Sequence, residues 1–265
     1  GLTLPSGRTA IMGILNVTPD SFSDGGRYTD VAAALGHARQ MVAAGADLID
    51  VGGESTRPNS TRISADEEWG RICTIVEALA TDGVIVSVDT LHASTAREAA
   101  CAGAAIINDV SGGRWDPEMN AAVAESGCAY VVQHYRALPG MPGEHFDYGD
   151  DLVGTLMERV GSQVQDAIDA GVTPDKIVID PGLGFSLTGD QCWQILRELP
   201  RFLQGGYPVL VGASRKRFVK ALEGDVDANS ADIAAYCAAA GAWAVRVHDV
   251  AATAAAIARK ENDVD

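Results

Sequence analysis

The sequence predicts one α/β domain over residues 1–265, a (β/α)8 barrel of the TIM type with its active site at the C-terminal ends of the strands. Three observations carry that expectation. Strand-like and helical periods alternate along the whole chain, giving eight strand-plus-helix units in 265 residues. No strand runs into a GxGxxG turn, which counts against a doubly wound open sheet, the main competing fold. Strand after strand also ends in side chains that carry charge or hydrogen bond.

The first strand is expected at 10–17 and ends in Asn16; an amphipathic helix at 31–44 follows. The second strand, 47–51, empties at Asp50 into Gly52, Gly53, Glu54, Ser55, Thr56, Arg57 and Pro58, before a helix at 65–80. Strand 84–89 ends in Asp89 and precedes helix 95–102; strand 105–110 carries Asn108 and Asp109 and precedes helix 117–125. Strand 129–134 closes on Gln133 and His134, and helix 152–170 leads to strand 176–180 with Asp180 at its end. Helix 191–203, strand 208–212 running on to Ser214, and helical segments 215–222 and 231–239 come next. Strand 242–248 carries Arg246 and His248, with Asp249 before a last helix at 250–260. Gly45, Gly103, Gly127, Gly171 and Gly241 stand where helices stop and the next strand is about to begin. A single polar strand end is turn chemistry, but eight on one barrel rim make a polar pocket. Asp109 and Asp249 read as caps of the following helices or as supports behind the pocket.

Composition narrows the function. Net charge is −16 and the pI about 4.6, which disfavours nucleic acid and anionic membrane surfaces as partners. An anionic substrate would need basic groups gathered locally. No apolar run approaches the ~18 residues of a membrane span, and the first residues lack the pattern of a secretory signal. The 5 cysteines are scattered, with no CxxC pair, so reduced thiols in a cytoplasmic protein are expected rather than a zinc site. No linker or low-complexity tract marks a domain boundary.

The rim offers two kinds of group. Asp89, Asn108 and Asp180 suit a flat heterocycle with amino and amide edges. Arg57, Lys216, Arg246 and His248, with the loop from Asn16 to Gly26, suit an anion. "ASRKRF", Ala213 to Phe218, puts Ser214, Arg215, Lys216 and Arg217 at a strand-to-helix turn, where free N–H groups favour anions. For Arg215 alone, a solvated helix start is the alternative reading. In "NVTPDSFSDGGRY", Phe22 either closes over a ligand or packs on its own barrel. The Asn16 amide oxygen suits a hard cation such as Mg²⁺, which keeps waters and shares phosphate oxygens. His37, His92 and His145 lack spaced partners and read as structural or solvated.

"MGILNVTPDSFSDGG", "GADLIDVGGESTRP", "VSVDT", "INDVSGG", "IDPGLGF", "GASRKRF" and "RVHDV" occur in this order between Met12 and Val250. Individually "VSVDT" is weak; the ordered set is specific, and it resembles the dihydropteroate synthases, the folate-pathway family targeted by sulfonamides. The resemblance implies a pterin-binding barrel that joins 6-hydroxymethyl-7,8-dihydropterin diphosphate to 4-aminobenzoate, releasing pyrophosphate with Mg²⁺ assisting. It implies that Asp89, Asn108, Asp180 and Lys216 hold the pterin with Arg246 against its ring, and that Asn16 binds the metal. It further implies that Thr56, Arg57, Arg246 and His248 meet the diphosphate. Phe22, Pro58 and Phe185 would then help form the aminobenzoate pocket, its carboxylate near Ser214 and Arg217. A homodimer is the family's common state. Three positions depart from the pattern: Leu187 where a lysine is frequent, Asn59 for a glycine, and Gln133–Tyr135 (QHY) for a more usual Met-His pair.

An aniline nitrogen is a weak nucleophile, which favours an SN1-like displacement in which pyrophosphate leaves first and the dihydropterin spreads the cation over its ring. Asp24 and Asp89 are the carboxylates expected to stabilise that cation, with Lys216 and Arg246 completing the catalytic set. Two rival functions share the barrel: a methyltetrahydrofolate methyltransferase, which needs no diphosphate site, and a paralogue that binds pterin without catalysis. "GESTRP" and "SRKRF" favour the synthase over the first; Leu187 keeps the second open.

Overall fold

The computed structural model describes residues 7–18, 27–56 and 60–262. Eight parallel strands form one sheet in the order β6-β5-β4-β3-β2-β1-β8-β7. They are β1 (Ala10–Asn16), β2 (Leu48–Gly52), β3 (Val86–Asp89), β4 (Ile106–Asp109), β5 (Ala129–Gln133), β6 (Ile177–Asp180), β7 (Leu210–Val211) and β8 (Ala244–Val247). The ring closes where Ile179 bridges Val209 and its N–H donates to the Pro208 carbonyl at 2.9 Å. β7 is shorter than the expected 208–212 because Pro208 has no N–H to extend the ladder.

Ten helices of the described residues surround the sheet: α1 (Arg27–Ala43), α2 (Ala65–Thr81), α3 (Ala93–Cys101), α4 (Met119–Ser126), α5 (Leu152–Asp169), α6 (Gly189–Arg197), α7 (Leu199–Leu203), α8 (Arg217–Lys220), α9 (Val226–Ala239) and α10 (Val250–Asn262). Most expected helices fall within a few residues of these bounds. The helix expected at 191–203 is two, because Pro200 cannot donate into the α6 ladder and is tolerated only in the first turn of α7. The helix expected from 215 starts at Arg217, since Arg215 sits at φ 56 and cannot be helical. α9 begins at Val226, ahead of the expected 231, with the Asp225 carboxylate accepting from the N–H groups of Asp227 and Ala228.

Helices hand over to strands by one repeated device. Gly103, at φ 102, donates its N–H to the Ala100 carbonyl while the Ala104 N–H reaches back to Ala99, the paired bonds of a Schellman stop. The same pairing recurs at Gly45, Gly83, Gly171 and Gly241, each just ahead of a strand; Gly83 is a stop that the sequence reading did not single out.

Alternation along each strand splits the core in two. Side chains facing outward pack against the helices in one large cluster that includes Ile49, Val51, Val88, Ile107, Val132 and Ile179. Those facing inward plug the barrel with Met12, Leu48, Ile106, Val131, Val178 and Leu210. The all-apolar plug makes the next inward position on each strand the floor of a pocket rather than a channel.

Candidate active site

Above the plug, the inward phase of the strands delivers Asp50, Ser87, Asn108 and Arg246 to the barrel axis. Asp50 is fully buried. Its carboxylate accepts from Arg246 Nε at 2.6 Å, Ser87 Oγ at 2.6 Å and Asn108 Nδ2 at 3.1 Å. Arg246 Nη2 then donates to Asp89 Oδ2 at 2.7 Å. Burial works against the Arg246 charge, but Asp50 and Asp89 hold it protonated, above its ordinary range. Burial likewise pushes the Asp89 carboxyl up, and Arg246 pulls it back. The outcome is one guanidinium held by two carboxylates at the base of a cavity of about 1070 Å³.

Asn16, Thr56, Asp89, Asn108, Asp180, Phe185, Ser214, Lys216, Arg217, Arg246 and His248 all line that cavity, so the expected rim does converge. Asp180 Oδ1 accepts from the Gly182 N–H at 2.7 Å; burial raises its carboxyl, and the charge of Lys216 opposes the rise. Lys216 caps α8, donates to the Leu183 carbonyl, and lies 5.0 Å from the Phe185 ring centroid. Burial lowers its ammonium to about 8, with Asp180 resisting. Ser214 Oγ and His248 Nδ1 are 3.0 Å apart, and the His248 N–H donates to the same hydroxyl at 3.2 Å, so Ser214 holds His248 in place. α8 spans only Arg217–Lys220; side-chain charge, more than a helix dipole, makes this corner positive. Arg215 turns away, its guanidinium bidentate on Asp227 at 2.6 and 2.9 Å.

A Cβ placed on Gly52 would lie 3.9 Å from Asn16 Oδ1 and 3.8 Å from Asp89 Oδ2, so an amide oxygen and a carboxylate oxygen flank the glycine. Asp89 Oδ2 already accepts from Arg246 Nη2, so the Asn16 amide oxygen is the donor left to a hard cation, which water and phosphate oxygens would complete. Among the described residues no cluster of three His, Cys, Asp or Glu forms a protein cage for a metal.

Phe22, Asp24, Arg57 and Pro58 lie outside the described residues. The base of the Glu54–Pro58 loop is nonetheless anchored. Glu54 is buried and meets Arg62 and His92 at 3.3 Å each, and accepts from the Ile63 N–H at 3.0 Å. Burial would raise its carboxyl, but these partners hold it below the usual range. His92, expected to be without a partner, is thus a clamp on that loop.

Other expectations need correcting. His134 does not join the rim: Gln133 takes the inward phase of β5, so His134 is buried behind it, edge-on to Tyr148 at 5.6 Å and pushed by burial down to about 3. Leu187 is 3% exposed and packs into the outer core while also touching the cavity, giving an apolar wall at that point. Asp109 caps its own turn through the Ser111 and Gly113 N–H groups at 2.7 Å each, and Asp249 accepts from the Ala252 N–H at 2.9 Å, both as expected. Asp50 and Gln133 were expected only as polar strand ends on the rim, with no contact assigned, and Ser87 was not singled out; strand phase relative to Asn108 and Asp180 is the signal that would have found it. The cysteines are all free thiols, and no described helix is long and apolar enough to cross a membrane.

Residues 12–248 match the model of the family described as pterin binding enzyme. The chain is 46% identical to the dihydropteroate synthase of Mycobacterium leprae over 258 residues, covering 93% of this chain and 90% of that protein. Among solved structures, a Yersinia pestis dihydropteroate synthase in complex with a sulfonamide drug superposes with a TM-score of 0.89 at 38% identity, covering 100% of this chain and 97% of that one. A Xanthomonas albilineans dihydropteroate synthase with 4-aminobenzoic acid gives 0.88 at 39% identity, covering 97% and 94%.

Proposed function

The chain belongs to the pterin-binding enzyme family, and from that membership together with its rim we infer that it is a dihydropteroate synthase, joining 6-hydroxymethyl-7,8-dihydropterin diphosphate to 4-aminobenzoate in folate biosynthesis. One observation carries the assignment: acceptors Asn108 and Asp180 and a cation, Lys216, line one cavity with an arginine fixed at its base. A pterin presents N–H donors on one edge and a carbonyl on another, so this layout is complementary to it. A sulfonamide, shaped like aminobenzoate, is the expected inhibitor.

In the proposed reaction Asp180 and Asn108 accept from the amino edge and Lys216 donates to the ring carbonyl. Arg246 lies against the ring; with Thr56, Arg57 and His248 it stabilises the departing diphosphate. Bound at Asn16 beside Asp89, Mg²⁺ would neutralise charge on the diphosphate oxygens. Asp89 and Asp24 stabilise the delocalised cation left behind, which favours an SN1-like displacement. Phe22, Pro58 and Phe185 wall the aminobenzoate, and Ser214 and Arg217 meet its carboxylate. The homodimeric state common among such enzymes and a cytoplasmic location belong to the same proposal.

Turnover of purified protein with dihydropterin diphosphate and 4-aminobenzoate tests the function directly; pterin binding without turnover would favour the non-catalytic paralogue. Lys216 supplies a second check. Lys216→Ala should lower kcat/KM by roughly 10–100-fold, the loss of one charge-assisted hydrogen bond, about 1.5–3 kcal/mol. Arg215→Ala should stay near wild type, because Arg215 is spent on Asp227. Since the ammonium titrates near 8 and is needed protonated, kcat/KM should fall as pH rises through that value. Lys216→Arg, charged throughout, should lack that limb; an unchanged profile would remove Lys216 from the mechanism.

A further inference from the structure

Two carboxamides on the cavity wall are locked in one orientation. Asn108 Nδ2 donates to Asp50 Oδ2, and Gln133 Nε2 donates to the Val110 carbonyl, each at 3.1 Å. Both partners can only accept: Asp50 is already bound to the Arg246 guanidinium, and a main-chain carbonyl carries no proton. Neither amide gains by turning over, so each oxygen is left for the cavity that both residues line. Among the described residues neither oxygen accepts a hydrogen bond. Asp180 behaves alike, with Oδ1 taken by the Gly182 N–H and Oδ2 lying 3.9 Å from where a Gly212 Cβ would sit.

Topology sets these three oxygens on adjacent strands. β5 lies between β4 and β6, and Gln133 is directly opposite Asp180 in the register. Asn108, Gln133 and Asp180 therefore form a staggered row of acceptors on three neighbouring strands, with Asn108 paired to Val131, one inward position below Gln133. Gln133 is 4% exposed, so its oxygen has little access to water once the cavity is filled. An acceptor left unpaired there would weaken binding; the wall demands a ligand edge rich in donors.

We propose that Gln133 is a third reader of the pterin's amino edge, its Oε1 accepting from the 2-amino group, and that it makes this chain more selective for a 2-amino heterocycle than Asn108 and Asp180 alone would. The edge offers three N–H bonds, two on the 2-amino group and one on the neighbouring ring nitrogen, and the wall offers one acceptor for each. The inference deepens the pterin-site reading and rests on it. Methionine at this position would have similar length and no acceptor oxygen, so Gln133 is a specificity residue rather than a filler.

The test is calorimetric titration of the wild type and Gln133→Met with 6-hydroxymethylpterin and with its 2-deamino analogue, thermal melts confirming that both proteins are folded. The wild type should prefer the 2-amino compound, and Gln133→Met should lose about tenfold in affinity for it while binding the deamino analogue within about twofold of wild type. The selectivity ratio is the readout, since a role in shaping the wall would weaken both ligands equally. Equal losses, or none, would overturn the assignment of Gln133 and leave the pterin site standing. Wild-type protein that binds neither compound would overturn the pterin reading itself.

Discussion

Asp180→Asn leaves a folded barrel that no longer turns over. The asparagine oxygen can still accept from the Gly182 N–H, the bond that Asp180 Oδ1 makes at 2.7 Å, so the turn after β6 keeps its anchor. The cavity-facing oxygen becomes an NH₂ group, and the pterin's amino edge then meets a donor instead of an anionic acceptor. A charge-assisted hydrogen bond contributes about 1.5–3 kcal/mol, so losing the one that Oδ2 accepts weakens pterin binding roughly 10–100-fold. Asp180→Ala should abolish turnover as well, with added cost at the Gly182 turn. The substitution also reaches Lys216, whose ammonium Asp180 helps keep charged, so the alkaline limb of pterin binding should move to lower pH. Calorimetry with 6-hydroxymethylpterin decides the matter. Near-wild-type affinity in Asp180→Asn would end the assignment of this carboxylate.

The largest loss of stability is expected at Asp50. Removing its carboxylate leaves the Arg246 guanidinium with half its anionic partners and orphans the Ser87 hydroxyl and the Asn108 amide in a site sealed from below. Breaking a buried ion pair from one side costs about 3–5 kcal/mol. In a domain of this size that is a fall in Tm of roughly 6–15 °C. Asp50→Asn, which keeps the shape and two of the hydrogen bonds, should fall by less. Arg246 would lose its fixed angle in both variants, so kcat should drop even at temperatures where the protein stays folded. A melting temperature within a degree of wild type for Asp50→Ala would show that Arg246 finds another anchor.

Much of this was visible in the chain before any coordinates. Strand and helix periods placed all eight units, and the rim residues followed from where the strands end. Phase was harder. Asn108 and Asp109, or Gln133 and His134, are adjacent polar residues at a strand end, and a single-residue choice decides which enters the cavity. The Arg246–Asp50 pair joins residues 196 apart in sequence, a contact that only barrel closure creates. Side-chain chemistry alone gave a flat heterocycle and an anion; the pterin and the aminobenzoate came from resemblance to known proteins. Pro200 is a local signal that could have divided the helix at 191–203.

The glycine stops that hand helices to strands all lie at the end of the barrel away from the cavity, and this makes the two ends unequal under insertion and deletion. A residue added to a loop after a strand lengthens a wall of the cavity and leaves every strand in place. The same residue added at Gly103 would feed β4 forward by one. Ile107 would then stand where Asn108 stands, the plug residue Ile106 would face the helices, and the acceptor row would lose its first member. Chain length is thus free to drift at one pole of the molecule and is counted residue by residue at the other.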